Sequence, residues 1–264
     1  MTQLYTYKIK VSYRGTGYFG WQVQSSQEGK TIQGEINKAL KIITKSEQIK
    51  TLGAGRTDAG VHALGQVFRA EIPLNIQDDA LVRALNSLLC EDIRILKARR
   101  CYEKFNPISD SLWKEYVYLF TNCREVSPFG YQYVTDYGFP LEFELMQDAC
   151  KLFQGKKDFC NYQCTGTEVP DTTREIFECD LTEQKCQGHF EIITPDYYIF
   201  RVRGGGFLKQ MVRLMVGTLW NIGRKKITVD ALQNSFDKKL PHKLGAVAPP
   251  QGLYLRKIRY SDGF

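Results

Sequence analysis

The stretch that decides the first element of the fold is Tyr5-Thr6-Tyr7-Lys8-Ile9-Lys10-Val11-Ser12-Tyr13-Arg14. Its odd-numbered residues are all aromatic or aliphatic, and its even-numbered residues are all polar. This alternation with a period of two is typical of a β-strand that turns one face toward a core. The chain is therefore predicted to begin with a strand of a half-buried sheet.

Patterns typical of helices and strands continue through the first half of the chain. Thr31 is predicted to cap a helix whose apolar stripe contains Ile32, Ile36, Ala39, Leu40 and Ile43. A glycine-rich loop at 53–60 and a strand near 66–72 follow. The half ends with a helix from about Asp78, turning Leu81, Leu85 and Leu88 inward, and a strand with Ile93 and Ile95.

The second half repeats this order loosely. The predicted elements are a strand at 114–121, a helix at 142–154 ended by Gly155, strands at 175–182, 189–194 and 197–203, helices at about 207–222 and 229–236, and a strand at 253–260. Grouped strands between helices predict an α/β (α+β) fold with a mostly antiparallel mixed sheet. The duplication predicts two subdomains, 1–105 and 106–264, that share one continuous structure.

Composition narrows the class of protein. The 264 residues suit one large domain or two modest ones, and the formal net charge of +7 with 12% aromatic residues is compatible with a nucleic-acid partner. The longest apolar stretch is interrupted by Arg213 and the N-terminus lacks the apolar core of a secretory signal, so we expect no membrane segment and a cytoplasmic protein. The eight cysteines form no C-x-x-C pair and are predicted to be reduced, with no metal site.

Glycines surround one aspartate in the loop Gly53-Ala54-Gly55-Arg56-Thr57-Asp58-Ala59-Gly60. Neither the dinucleotide fingerprint nor the P-loop fits, and the carboxylate of Asp58 would repel a phosphate. Two interpretations stay open from the residues alone. The loop is a tight turn that Asp58 caps, or Asp58 is a reactive group approached closely by a ligand.

Two further features could carry chemistry. Arg213 lies within an apolar helix, where a guanidinium needs an anionic partner unless it reaches solvent at the helix edge. The glycines at 204–206 before that helix could offer N–H groups to an anion. Tyr116 and Tyr118 share one strand face, which is more often core than a platform for a nucleobase.

Together these motifs resemble the tRNA pseudouridine synthase A (TruA) family. The run from Gly55 to His62 matches that family's catalytic motif residue for residue. The other matching segments follow in the family's order and cover nearly the whole chain: Tyr13-Arg14-Gly15, Gly20-Trp21-Gln22, Lys114-Glu115-Tyr116-Val117-Tyr118, Asp158-Phe159, Arg174, Phe207-Leu208, Met211-Val212-Arg213, Gly217-Thr218-Leu219 and Gly252-Leu253-Tyr254-Leu255. The resemblance implies a pseudouridine synthase fold with two RRM/ferredoxin-like subdomains.

The resemblance also implies residue roles. Asp58 would be the nucleophile that attacks the target nucleoside, at either the base or the sugar, and Arg213 would pair with it as the second catalytic residue. Tyr116 would stack on the uracil, Arg56 would help to extrude the uridine, and Leu253 would pack against the base. His62 is expected to be structural or to contact RNA rather than to act as a base.

The implied reaction converts uridine to pseudouridine in the anticodon arm of tRNA, at tRNA positions 38, 39 and 40. It involves no redox step, so no cofactor is expected, and the family implies a homodimer. Candidate phosphate contacts are Arg14, Arg99, Arg100, Lys104, Arg224, Lys225, Lys226, Lys238, Lys239 and Lys243.

One departure from the family concerns the segment before the tyrosine strand. The family's Phe-His-Ala-Arg-like segment reads Phe105-Asn106-Pro107-Ile108 here and lacks its arginine, which puts the choice of uridines in doubt. The alternatives are therefore a related pseudouridine synthase with another RNA target, or an RRM-like RNA-binding module without catalysis.

Overall fold

A computed structural model describes residues 3–24, 30–122, 126–164, 166, 169–186 and 196–264. The chain divides into two compact units: one contains Met1–Leu112 and Tyr254–Phe264, and the other contains Trp113–Leu253. The described elements are, in chain order, β1 (Tyr5–Tyr13), α1 (Ile32–Thr44), β2 (Lys50–Gly53), β3 (His62–Ile72), α2 (Asp78–Leu88), β4 (Ile93–Arg100), β5 (Ser111–Thr121), β6 (Thr135–Asp136), α3 (Phe143–Lys151), β7 (Gly155–Asp158), β8 (Thr173–Gln184), β9 (Tyr197–Gly204), α4 (Met211–Gly223), α5 (Val229–Asn234) and β10 (Leu253–Tyr260).

The first unit has the β-α-β-β-α-β order of a ferredoxin-like fold. Its strands lie in the order β4-β1-β3-β10, and β2 pairs with the other end of the long strand β3. All of these pairs are antiparallel except β3 with β10, which pairs Tyr254 with His62.

The core of the first unit lies between this sheet and its two helices. Tyr7, Ile9 and Val11 of β1 are fully buried, as the alternation predicts. The helices contribute Ile36, Leu40, Leu81 and Leu85, which are also fully buried. Thr31 caps α1 as predicted, because its hydroxyl accepts a hydrogen bond from the Gly34 N–H at 3.1 Å.

The second unit has antiparallel strands in the order β5-β9-β8-β7, and β6 lies parallel to β5. Its core is aromatic: Trp220 of α4 packs edge-on against Tyr118 and Phe120 of β5. Every residue of α4 except Arg213 and Asn221 is buried, so the predicted burial of this helix is confirmed. The predicted α/β class with mostly antiparallel pairing is confirmed in both units.

Three predictions about element ends were wrong. Helix α4 begins at Met211 rather than near 207, because Gln210 before it adopts a left-handed backbone with φ 62°. Helix α3 ends at Lys151, so Gly155 is the first residue of β7, at φ 96°, and not a helix cap. At the end of α2, Leu88 is 44% exposed rather than turned inward, and it is the last residue of the helix.

Further differences concern strands. The short strands β2, β6 and β7 are absent from the sequence prediction, since none is longer than four residues and none is long enough to show a period. The strand predicted at 189–194 lies outside the described residues.

Candidate functional site

Arg56 and Asp58 lie in an irregular loop between β2 and β3, at the start of the first unit's longest strand. Arg56 is exposed, Thr57 is buried and Asp58 is half-buried. The loop therefore anchors itself through Thr57 and leaves the residues on either side of it nearer to solvent.

The segment from Tyr13 to Trp21 holds this loop by hydrogen bonds. The Trp21 N–H donates to the Thr57 carbonyl at 3.1 Å, and the Gly60 N–H donates to the Tyr18 carbonyl at 3.3 Å. The Tyr13 and Thr57 hydroxyls are 2.8 Å apart in the interior. Asp58 is thus flanked on both sides by residues that are fixed to a second segment.

Two glycines permit this close approach. A Cβ on Gly15 would overlap the Val61 carbonyl, and one on Gly20 would lie 2.5 Å from the Thr57 carbonyl oxygen. Gly20 also has a φ of 84°, a conformation that costs other residues about 1–2 kcal/mol. The glycines of the 15–20 loop therefore serve the packing of the Asp58 loop.

His62 joins the same assembly at the start of β3. It is 2% exposed, its Nδ1 accepts a hydrogen bond from the Gly15 N–H at 3.1 Å, and its ring stacks on Tyr254 at 4.8 Å. An Nδ1 that accepts a hydrogen bond leaves the proton of a neutral ring on Nε2. These contacts support the structural interpretation of His62.

Tyr116 lies on β5 in the second unit and differs from its neighbour Tyr118. The Tyr118 hydroxyl is 2.8 Å from both Thr135 Oγ1 and the Pro249 carbonyl, and burial raises its pKa. Tyr116 is 8% exposed and its ring meets that of Phe207 edge-on at 5.0 Å. Both rings are buried, and the tyrosines differ in their contacts: the Tyr118 hydroxyl bonds to Thr135 and Pro249, whereas the Tyr116 ring meets Phe207.

Arg213 lies in the first turn of α4 and is half-buried. Its Nε donates to the Ala248 carbonyl at 2.6 Å, while the Ala248 N–H donates to the Arg213 carbonyl at 3.2 Å. A Cβ on Gly217 would overlap the Ala246 carbonyl, so α4 and the segment around 246 touch backbone to backbone. This contact fixes the guanidinium of Arg213.

Leu253 is the first residue of β10 and is 6% exposed. It follows a 3₁₀ turn, Pro250–Gly252, in which a Cβ on Gly252 would lie 2.6 Å from the Leu119 carbonyl oxygen. Arg56 and Asp58 thus belong to the first unit, while Tyr116, Arg213 and Leu253 come from three elements of the second.

Two residues near Tyr116 appear in the quoted motifs, but sequence reasoning gave them no role of their own. Lys114 is only 9% exposed, and burial lowers its pKa to about 8. Its spacing of two from Tyr116 was the available signal, since it places both side chains on one strand face. Phe207 contacts Tyr116 from the segment before α4, which the predicted helix would have included.

Several of the predicted phosphate contacts are engaged within the protein. Arg14 pairs with Asp92, Arg99 with Asp262 and Lys225 with Glu142. Arg100 lies over the Tyr5 ring and Arg224 over the Phe139 ring. These five bases contact groups within the protein, so a phosphate would have to compete with those contacts.

The cysteines that the structure describes are free thiols, with Cys150 and Cys179 buried, and Cys123 lies outside the described residues. Among the described residues, no group of three or more His, Cys, Asp or Glu side chains could hold a metal ion. None of the helices described is long and apolar enough to cross a membrane.

Comparisons with known proteins agree with the motifs. A family model described as tRNA pseudouridine synthase matches residues 9–106 and 149–261. A curated protein named tRNA pseudouridine synthase A from Thermodesulfovibrio yellowstonii is 38% identical over 96% of this chain and 98% of its own length. A protein of the same name from Geobacillus sp. is 35% identical over 97% of this chain and 98% of its own length. One from Streptococcus sanguinis is 36% identical over 97% of this chain and 99% of its own length.

A solved structure titled as the crystal structure of a Cbf5-Nop10-Gar1 complex also matches. The alignment covers 97% of this chain and 59% of that one, with 12% sequence identity and a TM-score of 0.32. The family model and the curated relatives show the family to which the chain belongs.

Proposed function

This chain belongs to the tRNA pseudouridine synthase family and is an isomerase that forms pseudouridine in tRNA, and we propose that Asp58 is its nucleophile and the anticodon stem-loop its target. The observation that carries the proposal is the position of Asp58. Its carboxylate is half-buried in a loop whose neighbours on both sides are bonded to the 13–21 segment. A carboxylate fixed in this way can attack without first ordering its loop.

The reaction balances without any other reactant. The glycosidic bond between uracil N1 and the ribose C1′ breaks, the base rotates, and a bond from C5 to C1′ replaces it. The proton on C5 is lost and N1 gains one, so no electrons are gained or lost overall. A carboxylate that first adds to the nucleoside and later leaves divides this exchange into two easier steps.

The other residues have supporting roles in this proposal. Tyr116 stacks on the uracil, with Phe207 bracing its ring at 5.0 Å. Arg56, which is exposed on the same loop as Asp58, helps to hold the uridine outside its helix. Leu253 provides apolar contact for the base, and Arg213 stays predicted as the ionic partner of Asp58.

The decisive experiment measures tritium release from tRNA labelled at uracil C5. Wild-type protein should release tritium, and Asp58→Asn should reduce release by at least about 10³-fold while still binding tRNA. The matched control is Asp79→Asn, an exposed acid on α2, which should keep wild-type activity.

Each contrary outcome has a distinct meaning. An Asp58→Asn protein with full activity would refute the assigned nucleophile. A wild-type protein that binds tRNA without tritium release would instead be a non-catalytic RNA-binding module. Release that maps outside positions 38, 39 and 40 of tRNA would refute the anticodon target, and the changed segment at 105–108 makes this mapping worthwhile.

The predicted arrangement as a cytoplasmic homodimer is part of the same proposal. Light scattering of the protein alone at micromolar concentration should give twice the chain mass of 30.4 kDa. A single-chain mass would contradict the homodimer.

A further inference from the structure

One sheet face of the first unit carries like charges on neighbouring strands. Lys10 of β1 and Lys97 of β4 are direct cross-strand partners, and Ser12 is paired with Arg94 of β4 in the next row. Like charges placed directly opposite each other destabilise a sheet. Lys257 of β10 belongs to this group, because burial first and then the charges of Lys257 and Lys97 lower the pKa of Lys10. We call Lys10, Lys97, Arg94 and Lys257 the basic face.

The adjacent row of the same sheet is paired with acids. Lys8 lies between Arg99 and Arg69, and its Nζ is 3.0 Å from Asp262. Arg99 reaches the same Asp262 at 3.6 Å, and Arg69 pairs with Glu71 at 3.0 Å. Within the ranges that the structure describes, no such ion pair is recorded for Lys10, Lys97 or Arg94. Among the described residues, no carboxylate therefore offsets the repulsion between Lys10 and Lys97.

The second unit shows what a compensated face looks like. Arg201 of β9 lies opposite Asp180 of β8, with their charged groups 2.8 Å apart, and Arg203 pairs with Glu178 on the same two strands. Arg201 also lies 3.9 Å from buried Glu115. The chain can thus place opposite charges across its strands, whereas Lys10 and Lys97 are a like-charged pair.

The chemistry of the basic face fits a polyanion backbone better than unstacked bases. Arg94, Lys97 and Lys257 are exposed, so their charged ends can reach a ligand. The Phe264 ring, which lies 5.1 Å from the Lys97 Nζ, is only 6% exposed, and the Tyr260 ring beside Lys8 is 2% exposed. Buried rings offer no stacking surface to a base, whereas charges on strands about 5 Å apart can contact successive phosphates.

We propose that the basic face binds the sugar–phosphate backbone of a double-helical arm of tRNA. The proposal rests on the proposed function for the identity of the RNA, but it concerns binding and not the chemical step. Phosphates would replace the missing carboxylates and remove the repulsion between Lys10 and Lys97.

The test compares two double variants that lose the same charge. Lys10→Gln/Lys97→Gln alters the basic face, and Lys38→Gln/Lys41→Gln alters two lysines on α1 that are paired with Glu35 and Glu47. Binding of tRNA is measured by fluorescence anisotropy over a series of salt concentrations, and tritium release is measured at saturating tRNA.

The first double variant should bind tRNA roughly tenfold more weakly at low salt and lose about two units of the slope of log K against log salt. Its kcat should stay within about twofold of wild type, and its Tm should not fall, because a repulsion has been removed. Lys10→Arg/Lys97→Arg should restore the slope. The α1 variant should match the wild type in binding.

Equal binding and equal slopes for the two Gln variants would overturn the proposal, and so would a loss of kcat without a loss of affinity. A wild-type protein that binds tRNA but releases no tritium would refute the proposed function while leaving this binding comparison intact. A wild-type protein that binds no tRNA at all would overturn both.

Discussion

Asp58 lies in a loop without regular secondary structure, whereas Tyr116 and Arg213 lie on strand β5 and helix α4. The loop is held by backbone bonds to another loop, and the helix by a contact between its own backbone and the segment near residue 246. In both units a glycine allows the approach. The difference is that the loop has no helix or strand ladder to restore its shape when that contact is disturbed.

The largest effect is expected at the loop, from Gly20→Ala. Its Cβ would lie 2.5 Å from the carbonyl oxygen of Thr57, the residue before Asp58, so the loop must shift. A misplacement of about 1 Å can cost on the order of 100-fold in rate, and we expect tritium release to fall by that amount.

Gly17→Ala is the matched control for this loop. Gly17 has a φ of 83°, nearly that of Gly20, but a Cβ there would meet no atom within 4 Å. Both variants should lose about 1–2 kcal/mol of stability for the left-handed conformation. If Gly17→Ala loses as much activity as Gly20→Ala, backbone strain and not the contact with Thr57 is responsible.

The corresponding change in the second unit is Gly217→Ala. Its Cβ would overlap the Ala246 carbonyl. Because Ala248, two residues further on, accepts the hydrogen bond from Arg213 Nε, a shift of this segment should also move Arg213. Overpacking of this kind costs about 1–3 kcal/mol, measured by urea unfolding, and activity should fall roughly tenfold.

Gly223→Ala tests the same helix at its other end. The first atoms that a Cβ would meet there belong to the side chain of Met146, which is flexible and can move. Stability should change by less than about 1 kcal/mol. A loss as large as that of Gly217→Ala would contradict the distinction between backbone and side-chain contacts.

Lys114 gives a pH-dependent comparison. Because burial lowers its pKa to about 8 in the folded protein, against 10.5 for an ordinary lysine, the unfolded chain binds more protons between these values. Wild-type stability should therefore rise relative to Lys114→Met between about pH 8 and pH 10.5, by up to about 3 kcal/mol.

Urea unfolding of the two proteins at pH 7 and pH 10.5 measures this difference. The Lys114→Met protein should be the more stable of the two at pH 7, where the wild type carries the buried charge. A gap that does not change with pH would show that Lys114 is not desolvated.

The smallest effect is expected for Tyr118→Phe. The substitution removes a hydroxyl that lies within hydrogen-bond distance of Thr135 Oγ1 and donates to the Pro249 carbonyl. The Pro249 carbonyl therefore loses this donor. The free energy of unfolding should drop by about 1–2 kcal/mol, with tritium release within a few-fold of wild type. Tyr131→Phe, at an exposed tyrosine, should have no measurable effect on unfolding. A large loss of activity in Tyr118→Phe would place this tyrosine, and not only Tyr116, at the reaction.

Much of the fold could be predicted because its signals are local. Strand β10 was predicted with the bounds that it has, and β1 ends one residue from where its alternation ends. The cap at Thr31 needs only the residues of one turn. The start of α4 was predicted wrongly because the apolar pattern of the sequence does not show that Gln210 adopts a left-handed backbone.

The sequence by itself determined the α/β class, the order of the longer elements and, through the run from Gly55 to His62, the family. These follow from periodicity and from residue identities that are read in one place along the chain. Only the tertiary structure decided which bases pair with acids, which of the two motif tyrosines bonds to the Pro249 carbonyl, and why Gly20 and Gly217 must be glycine. Each of these depends on an atom many residues away in the chain, such as Asp262, Pro249, Thr57 or Ala246, and such a partner leaves no local trace in the sequence.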